Sequence, residues 1–346
     1  MSSSYQKQGD GSRGRRSVGA AAASYREAGV DQDAADALIP RYAAEAARTR
    51  RSQAVQDIGS FAGLFSLEDL SSRGYKRPAL ALSTDTTGTK IVLLRKAGLH
   101  RTAGWDCVAM NVDDVVCCGA EPTLFVDCIA TERLDPDEAA EIVAGVADGC
   151  VEAGCELVGG ETAQLPGLLA PSAYEVMGTC VGIVDLDRAW GPHRVREEDD
   201  IVALAASGLH SNGFSLVRRV LGDDDPPQGL LAPTAIYARK LLELAEEVEV
   251  HAAVHVTGGG IGGNLPRGLP DGLGAHVDLS TWERPGIYAW LSERGISEEE
   301  MLATFNLGAG MLVVTPEGAR AAEILSALGV SAWVAGRVGG SSVDVH

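Results

Sequence analysis

The chain has 346 residues, with 48 acidic side chains against 29 basic ones and a formal net charge of −19. Its 45% hydrophobic and 22% charged residues make a globular composition, and the length suits one large or two medium domains. The acidic balance excludes general binding to a nucleic-acid backbone, which needs clustered cations, but leaves room for a small anion held by glycine turns and helix ends.

Residues 1 to about 23 are rich in Ser, Gly and Arg without periodicity and read as a disordered tail. No apolar segment follows its basic residues as in a secretory leader, and no run approaches the ~20 apolar residues of a membrane span. The seven cysteines (Cys107, Cys117, Cys118, Cys128, Cys150, Cys155 and Cys180) are odd in number and lack zinc-site spacing. They read as small buried hydrophobes in a reducing compartment, so a cytoplasmic protein is expected.

An Ala-rich helix is expected from Asp31 to about Arg51, kinked or split by Pro40. Pro78–Ser83 reads as a strand that ends in the polar segment Ser83–Lys90. Trp105–Cys118 reads as a helix closed by Gly119, and Thr123–Ala130 as a strand. Asp135-Pro136-Asp137-Glu138 is a helix start: an N-cap Asp, a Pro at the first helical position, then acids in the first turn. That helix runs to about Ala153, and strands follow at Glu156–Val158 and Tyr174–Val184. Asp185–Asp199 reads as a linker. Beyond it, strands are expected at Ile201–Ala206, His251–Val256, Ala275–Leu279, Met311–Val314 and Ala332–Val338. Helices are expected at Asn212–Leu221, Thr234–Val248 and Ala319–Leu328, with a short one after the capping box that Ser297 opens. Strands and helices interleave irregularly, which points to two α/β domains with mixed sheets, residues 24–187 and 196–346.

Several strand-end segments carry chemistry. Thr84-Asp85-Thr86-Thr87-Gly88-Thr89-Lys90 lacks Walker-loop spacing, yet offers an acid for Mg²⁺, a glycine for close backbone approach and a cation for phosphate. Taken alone it is equally a polar turn. Asp113-Asp114 sits on an otherwise apolar helix, where burial is costly unless a cation is met. Gly159-Gly160-Glu161-Thr162 is a glycine pair followed by an acid. In the second half, Ser207–Gly213 and Thr257–Gly260 are strand-to-helix turns that suit a phosphate. His210 alone reads as structural; its place in His-Ser-Asn-Gly at a helix start makes it a candidate site residue. Cys117, Cys118 and Trp105 read as core.

The colinear set of motifs resembles the phosphoribosylformylglycinamidine cyclo-ligase (aminoimidazole ribonucleotide synthetase) family over about Ser24 to Gly339. The matching pieces are Ser24–Asp31, Thr84-Asp85 with Gly88-Thr89-Lys90, Gly119–Pro122, Val158–Ala163, His210–Gly213, Leu231–Thr234, Thr257–Gly260, Asn264–Arg267, and Thr304–Asn306 with Gly308 and Gly310. The resemblance implies a two-domain α/β homodimer paired through ATP-binding N-terminal domains. It implies an ATP- and Mg²⁺-dependent ring closure of formylglycinamidine ribonucleotide through an iminophosphate, in purine biosynthesis, with no nucleic-acid or membrane partner. By the same match, Asp85 and Asp114 would hold Mg²⁺, and Gly88, Thr89 and Lys90 would contact the ATP phosphates. Glu161 and Thr162 would line the nucleotide or metal site. His210, Ser211 and Asn212 would orient the ribonucleotide at the reacting centre, with Lys90 and Asp114 also catalytic. Gly258, Gly259, Gly260 and Asn264 would cradle the ribose phosphate, Asn306 would bridge toward the site, and Tyr25–Asp31 would fold over ATP.

The chain departs from the family pattern at Thr86-Thr87 (usually Gly-Val), Asp113 (often Asn), Cys128 (usually Tyr), Gln164-Leu165 (usually Glu-Met) and Gly263 (usually Glu), and Gly222–Gly229 is short. Thr86 is expected to narrow the room beside a phosphate, and Asp113 to add charge near the metal. These departures keep two alternatives in view: a paralogue acting on a related substrate, and a nucleotide-binding regulator without turnover.

Overall fold

The computed structural model describes residues 29–55 and 62–346. The expected tail and most of the Tyr25–Asp31 segment lie outside the described residues.

In chain order the elements are α1 (Gln32–Ala47), β1 (Pro78–Thr86), α2 (Ile91–Lys96), α3 (His100–Val116), β2 (Glu121–Thr131), α4 (Pro136–Ala153), β3 (Glu156–Gln164) and β4 (Tyr174–Asp185). Then follow β5 (Asp200–Ala205), α5 (Phe214–Leu221), α6 (Ala238–Leu244), β6 (Ala252–His255), α7 (Gly260–Asn264), β7 (Ala275–Val277) and α8 (Ile287–Glu293). The chain closes with α9 (Glu298–Thr304), β8 (Ala309–Thr315), α10 (Gly318–Ala327), β9 (Ala332–Val338) and β10 (Val343–Val345).

The first half forms a four-stranded sheet in the order β1-β4-β2-β3. Its neighbours are antiparallel except β2 and β3, which run parallel around the α4 crossover. The second half forms a six-stranded mixed sheet in the order β10-β7-β9-β5-β8-β6. Asp135 caps α4 as its sequence predicts, accepting from the backbone N–H groups of Asp137 and Glu138. Ser297 accepts from Glu300 N in the same way.

Helix α3 is buried on almost every side because it lies between α4, the first sheet and α6 of the second half. Two glycines let α3 and α4 approach: a Cβ on Gly104 would sit 2.0 Å from the Ile142 carbonyl oxygen, and one on Gly145 1.8 Å from that of Arg101. The buried cysteines Cys107, Cys150, Cys155 and Cys180 belong to this core as small hydrophobes.

Some boundaries differ from expectation. Strand β1 continues through Asp85 to Thr86, since its antiparallel pairing with β4 holds to Met177. Strand β3 runs on through the Gly159–Thr162 segment because β2 pairs with it as far as Gln164. Pro40 sits inside an unbroken α1. Helix α6 is shorter than its apolar pattern suggests, and α2, α7, α8 and β10 were not anticipated.

The face of the first sheet opposite α3 and α4 is bare: Leu80 and Leu82 on β1 are 60% and 67% exposed, and Val126 on β2 is also exposed. No helix among the described residues is long and apolar enough to cross a membrane.

Candidate functional site

Asp85 stands one residue before the end of β1 and is half-buried. Its Oδ1 accepts from Thr86 N at 2.7 Å. Asp114, on the last turn of α3, accepts from Ser83 Oγ at 3.3 Å and lies 2.9 Å from His255 Nδ1. Burial pushes the Asp85 carboxyl up and the neighbouring Asp114 adds to this, against the Thr86 N–H and His255. Burial also opposes charge on His255, but its hydrogen bond to Asp114 and the charges of Asp113, Asp114 and Asp85 together hold it above its ordinary value. Two crowded carboxylates with one imidazole for a counter-charge form a site that favours a further cation. Among the described residues no group of three or more His, Cys, Asp or Glu is placed to hold a metal ion by itself. A pair of carboxylates matches the one or two that Mg²⁺ takes when phosphate oxygens and water complete its shell. Sequence reasoning missed His255; its one trace is a polar residue at the end of an apolar strand.

Past β1 the chain turns through a 3-10 segment, Gly88–Lys90. Gly88 adopts φ +68°, a conformation that favours glycine. Its N–H faces Thr86 Oγ1 at 3.0 Å and Glu175 Oε1 at 3.3 Å. Thr86 therefore occupies an extended position that suits a β-branched side chain, and its hydroxyl takes up the N–H expected for phosphate. Thr89 is exposed and meets Ser215 Oγ at 3.1 Å.

Lys90 departs from the expected phosphate contact. It is 0% exposed, its Nζ lies 2.7 Å from Asp106 Oδ2 and donates to the Ala232 carbonyl oxygen at 2.7 Å. The charge points into the protein because its counter-ion and acceptor are both there.

The second half meets this edge through Ser207–Gly213. A Cβ on Gly88 would lie 3.9 Å from the Ser211 carbonyl oxygen, so the turn from β1 and the turn before α5 face each other closely. Ser211 and Asn212 are half-buried, and Asn212 Nδ2 has no partner among the described residues. His210 is 1% exposed, with φ +59°. Ser207 N donates to its Nε2 at 3.3 Å, and burial holds the ring well below its ordinary value, so it is neutral with its hydrogen on Nδ1. His210 thus shapes its own turn through Nε2, and its buried Nδ1 has no partner among the described residues.

Asn306 reaches the same turn. Its Oδ1 accepts from Tyr288 Oη at 2.7 Å and Gly308 N at 2.8 Å, and its Nδ2 donates to the Gly208 carbonyl oxygen at 3.0 Å. It braces the turn from behind. Asn264 does the same for the glycine turn: its Nδ2 faces the carbonyl oxygens of Thr257, Gly258 and Gly260 at 3.2, 3.1 and 2.9 Å. Gly258 and Gly259 are exposed and Gly260 buried, and Gly259 and Gly260 have φ +100° and +62°. Exposed Arg267 donates to Asn264 Oδ1 at 3.0 Å and brings a cation beside the turn. The i,i+3 spacing of Asn264 and Arg267 was its sequence signal. A hollow of about 260 Å³ joins Asp114 and His255 to Asn264 and Arg267.

Glu161 and Thr162 do not join this cleft within one chain. They lie on β3 and Asp85 on β1, at opposite edges of the sheet, three strand spacings or about 14 Å apart. They line a separate hollow of about 320 Å³ with Ile39 and Tyr42 of α1 and with Asp127. Burial pushes the Asp127 carboxyl up to about 7.

The departures from the family pattern find local reasons. Asp113 is fully buried and its Oδ1 accepts from Tyr237 N at 2.9 Å and Ala238 N at 3.1 Å, so it caps the start of α6 while its charge also acts on His255. A Cβ on Gly263 would meet nothing within 4 Å, so a side chain there is missing without loss of packing. Gln164 Oε1 accepts from Asp31 N and its Nε2 donates to Asp31 O, tying the start of α1 to β3.

This pairing of a four-stranded and a six-stranded α/β unit is the architecture of AIR-synthase-related proteins. The N-terminal domain model of that group matches residues 71–184 and the C-terminal one residues 196–346. The chain belongs to the phosphoribosylformylglycinamidine cyclo-ligase family. It is 43% identical over 332 residues to the cyclo-ligase of Myxococcus xanthus, and 44% identical over 334 residues to that of Sorangium cellulosum. Each match covers 91% of this chain and 95% of the relative. The fold is shared with thiamine-monophosphate kinase from Stenotrophomonas maltophilia (TM-score 0.66, 21% identity, covering 89% of this chain and 95% of that one). It is also shared with the hydrogenase maturation protein HypE in complex with ATP (TM-score 0.62, 20% identity, 86% and 88% covered).

Proposed function

We propose that the chain catalyses the ATP-dependent closure of formylglycinamidine ribonucleotide to aminoimidazole ribonucleotide in purine biosynthesis, as its family does. The observation that carries the reading is the meeting of two turns across one cleft: Asp85 to Thr89 with Asp114 on one side, Ser211-Asn212 and Gly258-Gly259 on the other.

Asp85 and Asp114 would hold Mg²⁺, which would neutralise charge on the ATP phosphates. Thr89 offers its hydroxyl to those phosphates. Gly258 and Gly259 with Arg267 receive the ribose phosphate, and Asn212 presents its unpartnered Nδ2 to the ribonucleotide. The γ-phosphoryl group passes to the formyl amide oxygen: the P–O bond to ADP breaks, a P–O bond to the amide oxygen forms, and the amide nitrogen gives up its proton. The amidine nitrogen then attacks the same carbon, the C–O bond breaks, phosphate leaves with the bonding electrons, and loss of a proton leaves the imidazole. An amide oxygen is a poor leaving group and a phosphate a good one, so the protein's work is alignment and charge neutralisation.

The reading includes a homodimer closed through the first sheet. The bare, apolar face carrying Leu80 and Leu82 supports it. So does the separation of Asp85 from Glu161, because edge-to-edge closure would bring Glu161 of the partner subunit toward the Asp85 edge. The slot under α1 then suits a flat base. Rescue of a purine auxotroph lacking this ligase tests substrate and catalysis together. Growth without added purine is expected. Failure to grow with the protein expressed and folded would favour the paralogue or the regulator.

A further inference from the structure

Directly behind the two facing turns lies a set of buried polar contacts that join the halves of the chain and that the reaction does not itself consume. Asp106 on α3 is 0% exposed. Its Oδ2 lies 2.7 Å from Lys90 Nζ, and its Oδ1 accepts from Thr234 N at 2.7 Å. Lys90 in turn donates to the Ala232 carbonyl oxygen. The same stretch is gripped once more by α3, where Trp105 Nε1 donates to the Thr234 carbonyl oxygen at 2.7 Å. The Thr234 hydroxyl then meets Ser211 Oγ at 3.0 Å.

The connectivity is specific. Lys90 is the residue after Thr89 on the nucleotide-side turn, and Ser211 lies on the ribonucleotide-side turn. One carboxylate therefore fixes both turns, the first through the ammonium it neutralises and the second through Thr234. A buried ion pair is weak evidence for stability, since desolvation offsets much of its attraction, but its geometry is stringent. A phosphoryl transfer needs such stringency, because donor and acceptor oxygens must be in line and small misplacements slow the step steeply.

We propose that Asp106 is a positioning residue for the ligase reaction: through Lys90 and Thr234 it sets the separation between the ATP-side turn and the ribonucleotide-side turn. The proposal rests on the functional reading above. Its signature is a loss of turnover without loss of either substrate's separate affinity, since each substrate is held by groups on its own side of the cleft.

The test is steady-state kinetics with separate calorimetric titrations of a non-hydrolysable ATP analogue and of the ribonucleotide, on the full chain. In Asp106→Asn, kcat is expected to fall at least about tenfold while each separate Kd stays within about threefold. Thr234→Val, which keeps the backbone hydrogen bond and loses only the hydroxyl, is the milder probe should Asp106→Asn fold poorly. It is expected to lower kcat about threefold or more at unchanged melting temperature, and Thr234→Ser to restore it. An unchanged kcat in folded Asp106→Asn or in Thr234→Val would overturn the proposal. Separate affinities and melting temperature falling together with kcat in both variants would also overturn it, since that is what a merely structural role produces. A wild-type protein without turnover would defeat the functional reading itself, and the proposal with it; a wild type that turns over beside an equally fast variant would defeat the proposal alone.

Discussion

The two sides of the cleft are built differently. On the β1 side the groups proposed to face a ligand are side chains, Asp85, Asp114 and Thr89, carried on a strand, a helix and a short turn. On the other side much of the surface is backbone, Gly258 and Gly259, and the motif side chains have turned inward to shape it: His210 holds Ser207, Asn264 holds Thr257–Gly260, Asn306 holds Gly208. Mg²⁺ favours anionic oxygen atoms, and those that the protein can offer are on carboxylate side chains. A phosphate is served by N–H groups, which any residue supplies if its turn is held in shape. Substitutions on the first side should therefore change chemistry, and those on the second should change geometry and stability.

The contrast is broken most easily at Asp85. Asp85→Asn is expected to lower turnover at least about a hundredfold with the melting temperature unchanged or raised, because burial and Asp114 already disfavour its charge. Unchanged ATP kinetics would remove the metal assignment. Asn264→Ala should behave in the opposite way. Three backbone oxygens lose their donor, so stability should drop by about 1–3 kcal/mol and the KM for the ribonucleotide should rise, with the ATP KM little altered. Thermal melting and paired KM measurements check both.

A smaller effect is expected at Asp127, away from both turns. Its carboxyl is raised from 3.8 to about 7 by burial, so it holds its proton more tightly folded than unfolded. The stability this confers is complete below about pH 4 and is lost as pH rises through about 7. Melting temperatures measured from pH 4 to 8 should thus fall further for the wild type than for Asp127→Asn, and parallel profiles would contradict the assignment. The smallest effect should come from Thr86→Gly. Freeing the Gly88 N–H while adding backbone freedom should cost about 1 kcal/mol of stability and change ATP affinity no more than about threefold. A large gain in affinity would mean that Thr86 narrows the site after all.

Much of this architecture was legible in the amino-acid order. The interleaved strands and helices, the caps at Asp135 and Ser297, and the chemistry-bearing turns all appear near where their residues suggest. Depth was not legible. Lys90 looks like a phosphate ligand until Asp106 and Ala232 close around it, and those partners lie 16 and 142 positions away in the chain. His255 was passed over because a lone histidine in an apolar strand carries no local signal of the Asp114 carboxylate beside it. The family resemblance put Glu161 at the nucleotide or metal site, but strand order in a sheet is a long-range property, and it sets Glu161 and Asp85 of one chain on opposite edges.

The claim that organises all of this is the transfer of phosphoryl to an amide oxygen between the two turns. Labelling the formyl oxygen of the ribonucleotide with oxygen-18 and analysing the released phosphate by mass spectrometry tests it directly. The account predicts one labelled oxygen in phosphate per imidazole formed; ring closure that releases unlabelled phosphate, with the label in water, would contradict it.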